Sequence, residues 1–212
     1  MEFEQALKNR HSVRQFTDQQ VPLNDIRQII KNVQLAPSWV NSQPYHVHLV
    51  VGESLERVRH EQFELEQKGI KGHSDIPVMS RKKWSKQAQA NMAEWTQGLG
   101  EAAGKMGPAA AKLYNAQAVI YLTLPKGYSA WSLYDLGAFG NDIVLAASNL
   151  GISSMTAYQF VKYPDMLRQQ LAIPDDEDII IGIGLGYRDD KAEVNTISSK
   201  RMDLEKILFL HQ

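Results

Sequence analysis

The sequence predicts an α+β or α/β fold in which helices are layered on one central sheet. Helical spacing dominates the first third of the chain, and apolar segments typical of strands then alternate with further helices. Hydrophobic residues make up 43% of the 212 residues, which suffices for a substantial core. We see no internal repeat or clean boundary, so we predict a single domain over residues 1–212.

Bulk composition excludes several classes of protein. The formal net charge of −1 gives no electrostatic reason to expect nucleic acid or an anionic membrane as the main partner. No apolar run is long enough for a bilayer, and the first residues lack the features of a signal peptide. The absence of cysteine excludes disulfides, a thiol nucleophile and cysteine-ligated metal sites. We therefore expect a cytoplasmic protein whose redox chemistry, if any, needs a bound cofactor.

The first elements are marked by apolar spacing and by proline and glycine. Apolar residues between positions 3 and 7 predict a short amphipathic helix, and those over 23–33 predict a second helix. A polar, aromatic loop bounded by prolines follows at 37–44. Residues 46–51 predict a strand that ends at Gly52.

The middle of the chain, residues 54–115, predicts a helical excursion with weak patterning. Such a segment caps a site or packs on a partner subunit, and a plain pair of surface helices is the alternative. Trp84 and Trp95 are candidate lid residues or packing residues.

The last part of the chain alternates strands and helices, with Gly151 as a helix C-cap. The predicted order is a strand at 118–123, a long helix at 133–150, a strand at 152–157, a short helix from 163, a strand at 178–187 and a final short helix at 203–210.

Two patterns carry weak functional signals. Gly182, Gly184 and Gly186 alternate along a strand, but no turn into a helix follows, so they are not a dinucleotide-binding fingerprint. Tight packing of a helix on the sheet is favoured over approach of a ligand. His46 and His48 share one face of a strand, but we see no carboxylate pattern nearby that converges on them, so we predict no metal site.

The segment before the second helix concentrates groups that bind anions. Arg10, His11, Ser12 and Arg14 lie within five residues, and a second basic cluster occupies 198–201. Arginine presents a planar fork of donors that matches phosphate oxygens. A fold that joined the clusters would hold one phosphate from both sides, whereas the alternative is two solvated surface clusters.

The loop at 37–44 combines polar side chains with an aromatic plane. Ser38, Asn41, Ser42 and Gln43 supply donors and acceptors, and Trp39 supplies the ring. Paired prolines stiffen the loop, which suits a flat heteroaromatic ligand. An ordinary connection from helix to strand is the alternative.

These blocks, in this order, resemble the FMN-dependent nitroreductase family over nearly the whole chain. The resemblance is carried by 10–16, by 36–44 with its Asn-x-Gln-Pro ending, by 135–137, by 180–187 and by 200–201. It implies a nitroreductase-like α+β fold, which is a three-layer α/β/α sandwich with a central, mostly antiparallel sheet. It also implies an intertwined homodimer with an FMN site at each interface.

The resemblance implies roles for the basic segments. Arg10, Ser12 and Arg201 would hold the FMN phosphate, with assistance from Lys200, and His11 would lie beside the ribityl chain.

It implies further contacts to the flavin ring. Arg14 would lie near the pyrimidine edge. The other subunit would contribute residues of the 37–44 loop, namely Pro37, Ser38, Trp39, Asn41 and Gln43. Backbone donors near N5 would come from Tyr158, Gln159 and Phe160, and the side chains of Trp39, Tyr158 and Phe160 would line the open face.

The implied function is transfer of hydride from NADH or NADPH through FMN to electron-poor acceptors such as nitroaromatics or quinones, in a ping-pong cycle. No side chain is proposed as an essential general acid. The sequence departs from well-known members at 105–112, which has no clear asparagine, and at 157–160, which replaces a more usual acidic-glycine pair. An FMN carrier or sensor, a flavin-dependent dehydrogenase of a specific metabolite and a cofactor-free helical interaction protein remain alternatives.

Overall fold

The computed structural model describes residues 2–212, in which four antiparallel strands form one sheet in the order β1-β2-β4-β3. The strands are β1 His46–Val51, β2 Ala118–Pro125, β3 Ser153–Ala157 and β4 Glu177–Gly186. The helices are α1 Phe3–Asn9, α2 Leu23–Val33, α3 Gly52–Gln67, α4 Lys86–Gln97, α5 Ala103–Ala111, α6 Ala130–Asn149 and α7 Pro164–Leu171.

The sheet is the middle layer of three, because β2 is buried on both faces. Val119 and Tyr121 belong to a core that also contains side chains of α3 and α7. Ile120 and Leu122 point the other way, into a core formed with α2 and α6. This alternation follows from the two-residue period of a strand. The predicted three-layer α/β/α sandwich is confirmed, and its sheet is antiparallel throughout.

The start of β4 corrects one sequence prediction. Glu177 accepts from Thr123 Oγ1 and lies 2.7 Å from His46 Nδ1 and 3.3 Å from His48 Nε2. The prediction that no carboxylate converges on these histidines is therefore wrong. The strand order places the ends of β1, β2 and β4 side by side, although Glu177 is about 130 residues from the histidines in sequence.

The alternating glycines of β4 serve packing, as the sequence predicts. A Cβ on Gly182 would lie 2.2 Å from Phe160 Cβ, and one on Gly184 would lie 2.5 Å from Phe160 Cζ. A Cβ on Gly186 would lie 2.8 Å from Phe16. The groups that fill the space are thus aromatic rings from a 3-10 turn (158–161) and from the N-terminal segment, and not an α-helix.

The helical excursion divides into two parts. Helix α3 belongs to the core through Leu55 and Val58 and packs on α7 and β1. Helix α4, in contrast, has no buried residue.

The predicted final helix at 203–210 is wrong. Only a 3-10 turn forms, over Leu204–Lys206, and the apolar side chains from Ile207 to Leu210 are exposed. Within this chain they have no core to pack against, so no tertiary contact stabilises a helix there.

Candidate functional site

The N-terminal basic segment is held between β3 and the chain that follows β4. Val13 N donates to Ser154 O at 3.0 Å, and Thr17 N donates to Tyr187 O at 2.8 Å. Val13 and Phe16 bury their side chains in the core beside α3 and α5. The segment is therefore a fixed part of the fold, and its polar groups have defined positions.

Arg14 is a buried cation without a counterion. Arg14 is only 6% exposed. Its Nη1 donates to Ser12 O at 3.2 Å and to Ile197 O at 3.4 Å. Its Nε is buried and has no hydrogen-bond partner. Within residues 2–212 it forms no ion pair, and burial lowers its pKa. Desolvated charge of this kind favours an anionic group nearby.

Tyr114 is buried and interacts electrostatically with Arg14. Burial raises the pKa of Tyr114 to about 12, although the positive charge of Arg14 acts in the opposite direction. The phenol is therefore neutral at physiological pH and does not compensate the charge of Arg14.

Arg10 lies at a small cavity near the end of α6. The cavity has a volume of about 140 Å³ and includes Ser148, Ser153 and Ser154 in its lining. Arg10 is half-buried, and its guanidinium has no hydrogen-bond or ion-pair partner in the described part of the chain. Free guanidinium donors beside serine hydroxyls suit a phosphate group.

The two hydrogen-bond partners of His11 determine its tautomer. Nδ1 lies 2.6 Å from the Asn9 carbonyl, and Nε2 lies 2.5 Å from Nη1 of Arg188. A carbonyl can only accept and a guanidinium can only donate, so Nδ1 carries the proton and Nε2 accepts.

The second basic cluster lies elsewhere on the molecule. Arg201 donates to the Ser199 and Lys200 carbonyls, and Lys200 Nζ is 3.6 Å from Glu94 Oε1 on α4. These residues line a cleft of about 600 Å³ with Trp95. Within one chain, the two basic clusters line different cavities. The chain after residue 197 runs along α4.

The 37–44 loop holds an unusual backbone conformation. Val40, Asn41 and Gln43 have φ angles of 49°, 57° and 43°, in the left-handed region that side chains disfavour. Gln43 N donates to Ser38 Oγ at 3.0 Å, and Gln43 Nε2 donates to Asn41 Oδ1 at 3.0 Å. Pro37, Asn41 and Gln43 are exposed and Ser38 is half-buried, and their side chains are thus presented on a pre-formed loop.

Asp135 connects this loop to α6. Trp39 N donates to Asp135 Oδ2 at 2.8 Å, and the Asp135 carboxylate is buried. The Trp39 ring packs on Trp131, with 5.0 Å between ring centroids, and Tyr134 meets Trp131 edge-on at 6.4 Å. The three exposed rings form an aromatic surface at the start of α6.

The turn at 158–161 is held from beneath by α3. Gln62 Nε2 donates to Gln159 O at 3.0 Å, and Gln159 Nε2 donates to Glu66 Oε1 at 2.6 Å. Tyr158 is 41% exposed, whereas Phe160 is fully buried. The prediction that the Phe160 side chain lines an open face is therefore wrong, because the missing Cβ atoms of Gly182 and Gly184 make room for its ring in the core.

Sequence reasoning missed Asn195, which lies 180 residues from the segment that it binds. Its carboxamide makes hydrogen bonds to the backbone of Arg14 and Gln15. A single asparagine in a polar loop carries no local signal of such a role.

Among residues 2–212 there is no group of three histidine, cysteine, aspartate or glutamate side chains that is arranged to hold a metal ion. In the same residues no helix has the length and apolar character needed to cross a membrane.

Comparison with known proteins gives a consistent result. The sequence profile of the Nitroreductase family matches residues 7–187. The chain is 25% identical to chloronitrobenzene nitroreductase of Comamonas testosteroni, over 97% of this chain and 96% of that protein. It is 25% identical to 4-nitrobenzoate reductase of Pseudomonas putida, over 94% and 91%. The crystal structure of the FMN-dependent nitroreductase NfnB from Mycobacterium smegmatis in complex with NADPH is similar over 99% of this chain and 97% of that chain, with a TM-score of 0.92 and 25% identity.

Proposed function

Because this chain belongs to the nitroreductase family, we propose that it is an FMN-dependent oxidoreductase that takes hydride from NADH or NADPH and passes it to electron-poor acceptors such as nitroaromatics or quinones. The similarity to nitroreductases of known activity extends over nearly their whole length. Within the chain, the proposal is carried by Arg14, a buried cation without a counterion on a segment that resembles the family's flavin-binding motif.

The described residues fit FMN at two points. Arg10 and Ser12 would hold the phosphate, and the free guanidinium of Arg10 beside three serines supports this. Arg14 would lie at the pyrimidine edge, where its buried Nε, which has no partner in the chain, would donate to an acceptor on the flavin. Bound FMN would supply two-electron hydride chemistry, which no side chain of this chain provides.

Arg14 contributes electrostatics to the reaction. A guanidinium stays charged even when burial lowers its pKa, since its ordinary value is far above neutrality. Its electrostatic interaction with a nearby group is strong because the surroundings exclude water. It would thus favour the reduced flavin, whose pyrimidine edge carries negative charge. Solvent would supply protons, so we assign no side chain as a general acid.

We further propose a homodimer in which the 37–44 loop of each subunit lies against the flavin of the other. Pro37, Ser38, Trp39, Asn41 and Gln43 would contribute from that loop. All of them except the half-buried Ser38 are exposed on the single chain, which supports this arrangement. The exposed surface of α6 at Trp131, Tyr134 and Gly137 provides a face for the partner.

The remaining assignments extend the same site. The backbone of the turn Tyr158–Gln159–Phe160 would face N5, held in place by α3. Lys200 and Arg201 would assist at the phosphate once the C-terminal segment is placed in the dimer. Helix α4, which has no buried residue, would cap the site, with Trp84 and Trp95 as lid residues.

The test is an absorbance spectrum of the purified protein, recorded anaerobically before and after addition of NADPH or NADH. Oxidised-flavin bands that bleach on addition would support both the cofactor and the reductive half-reaction. A spectrum without flavin, even after incubation with FMN, would overturn the proposal. A flavin that binds but does not bleach would contradict the enzymatic function and favour a carrier or sensor.

A further inference from the structure

Asn195 is a buried asparagine whose side chain has all its hydrogen bonds satisfied. The residue is 3% exposed. Its Oδ1 accepts from Arg14 N at 2.6 Å and from Gln15 N at 3.1 Å. Its Nδ2 donates to Gln15 O at 2.7 Å and to Asp189 O at 2.9 Å. Two acceptor and two donor positions are the full capacity of a carboxamide, and all four are used.

These four partners fix the orientation of the carboxamide. Two N–H groups face Oδ1 and two carbonyls face Nδ2, so a flipped amide would set donors against donors and acceptors against acceptors. The buried backbone groups of Arg14 and Gln15 also depend on Asn195, because an unpaired buried polar group costs about 1–3 kcal/mol. The local chain path at Arg14 is therefore determined by a residue far away in sequence.

The turn that carries Asn195 also holds the side chain of Arg14. Residues 193–196 form a 3-10 turn, and the next carbonyl, of Ile197, accepts from Arg14 Nη1 at 3.4 Å. Arg188 Nη2 donates to the Asn195 carbonyl at 2.9 Å, while Nη1 of the same guanidinium reaches His11. One turn thus contacts the backbone of Arg14, its guanidinium and, through Arg188, the His11 ring.

We propose that Asn195 is a positioning residue that fixes the Arg14 guanidinium relative to the flavin, and that it joins the N-terminal basic segment to the chain that follows β4. This inference rests on the proposed function. Electrostatic stabilisation depends on charges that are already in place before reaction, and small displacements weaken it. Arg14 has no carboxylate partner to hold it, so its guanidinium is constrained by the carbonyls of Ser12 and Ile197, the second of which directly follows the turn that carries Asn195.

The test compares Asn195→Ala and the milder Asn195→Ser with Asp75→Asn, all in the full-length holoprotein. None of the three introduces a new charge beside Arg14. Asp75 is a matched control because it anchors the opposite end of β4, where Oδ2 accepts from Ile179 N at 2.7 Å and from Arg168. The measurements are the midpoint potential of bound flavin, the dissociation constant of FMN from the apoprotein and the thermal unfolding temperature.

We expect Asn195→Ala to weaken binding of reduced FMN about tenfold more than binding of oxidised FMN. For a two-electron couple this ratio corresponds to a midpoint potential about 30 mV lower. Asn195→Ser should give a smaller shift in the same direction, since its hydroxyl still accepts one of the N–H groups. Asp75→Asn should lower the unfolding temperature and leave the midpoint potential unchanged.

Two results would overturn the inference. One is a wild-type midpoint potential in both Asn195 variants. The other is an equal shift of the midpoint potential in Asp75→Asn, which would mean that Asn195 contributes only to general stability. If Asn195→Ala does not fold, Asn195→Ser decides the matter. Failure of the proposed function is distinguishable, because then the wild-type protein itself binds no FMN.

Discussion

Arg14 and Glu177 are both buried charged residues, and they differ in their partners. Glu177 receives hydrogen bonds from Thr123, His46 and His48, which satisfy its carboxylate within the chain. Arg14 has two carbonyl partners, an unpartnered Nε and no counterion. A charge satisfied by the protein stabilises the fold, whereas an unsatisfied one is a cost unless a ligand offsets it. The contrast separates a structural residue from a candidate binding residue.

Replacement of Arg14 by methionine should separate binding from stability. We expect FMN to bind at least tenfold more weakly, because the cation at the pyrimidine edge is lost. The free energy of unfolding of the apoprotein should change by no more than about 1 kcal/mol, since an unpaired buried charge contributes little to folding. FMN titration and denaturant unfolding measure the two quantities. Arg27→Met, on the exposed part of α2, serves as a control with unchanged FMN affinity.

Glu177→Gln should change the pH dependence of stability. Burial raises the pKa of Glu177, but the hydrogen bonds from Thr123, His46 and His48 outweigh it and lower the pKa overall. A lowered folded-state pKa means that the carboxylate stabilises the protein above its unfolded pKa of about 4.3, and that this stabilisation is lost as pH falls further. We expect the variant to be less stable by about 1–3 kcal/mol at pH 7.

That difference should narrow as the pH falls below the unfolded-state pKa of about 4.3, because the unfolded chain takes up the proton more readily than the folded one. Urea unfolding at a series of pH values measures it. A stability difference that stays constant from pH 7 to pH 3.5 would contradict the assignment of these hydrogen bonds to a charged carboxylate.

At the level of elements, β4 and the 158–161 turn are fitted to each other. Glycines on one face of β4 admit the Phe160 ring, and α3 holds the Gln159 carbonyl from the other side through Gln62. The turn is therefore constrained by a strand and a helix at once. This explains how a short 3-10 segment keeps one conformation beside the proposed flavin site.

Gly184→Ala should destabilise the protein through this contact. The added Cβ would lie 2.5 Å from Phe160 Cζ and 3.1 Å from Ala116 Cβ, so the ring must move. We expect a loss of about 1–3 kcal/mol, as is usual for overpacking of a core. Phe160→Leu in the same chain should recover part of the loss. A double-mutant cycle by denaturant unfolding measures the coupling, and additive effects would rule out the steric explanation.

On the scale of the whole molecule, two places each expose several large apolar side chains close together. One is the start of α6 with Trp39, Trp131 and Tyr134, and the other is the C-terminal segment from Ile207 to Leu210. Contiguous apolar surface of this kind marks an interaction site. It supports the proposed homodimer, which would bury these side chains.

Gly137→Arg should disrupt that dimer without disturbing the single-chain fold. Gly137 is an exposed position of α6, and a Cβ there would meet nothing within 4 Å in the chain. We expect light scattering to report a monomer with reduced FMN content and a wild-type far-UV circular dichroism spectrum. Gly104→Arg, at an exposed and equally open position of α5, should remain a dimer with full FMN content. Equal dimer content in both variants would exclude this face of α6 as the interface.

Two predicted elements, one strand and one helix, have the bounds that the structure shows. The strand at 46–51 has the predicted bounds, and α2 spans the predicted 23–33. Both are marked by local spacing of apolar residues and by flanking proline or glycine, which needs no knowledge of distant contacts. The prediction of a helix at 203–210 is wrong because the local apolar pattern says nothing about distant contacts. Within this chain, that segment has no surface on which to pack.

The sequence by itself determined the layered α+β architecture and the two segments, 10–16 and 36–44, whose pattern carries the resemblance to flavin-binding nitroreductases. Only the tertiary structure decided which side chains meet. It brought Glu177 to His46, placed Asn195 on Arg14 and laid Lys200 and Arg201 beside α4. The physical reason is that hydrophobic periodicity is a property of neighbouring residues. Hydrogen bonds across 130 or 180 residues depend instead on strand order and on the path of the chain after β4.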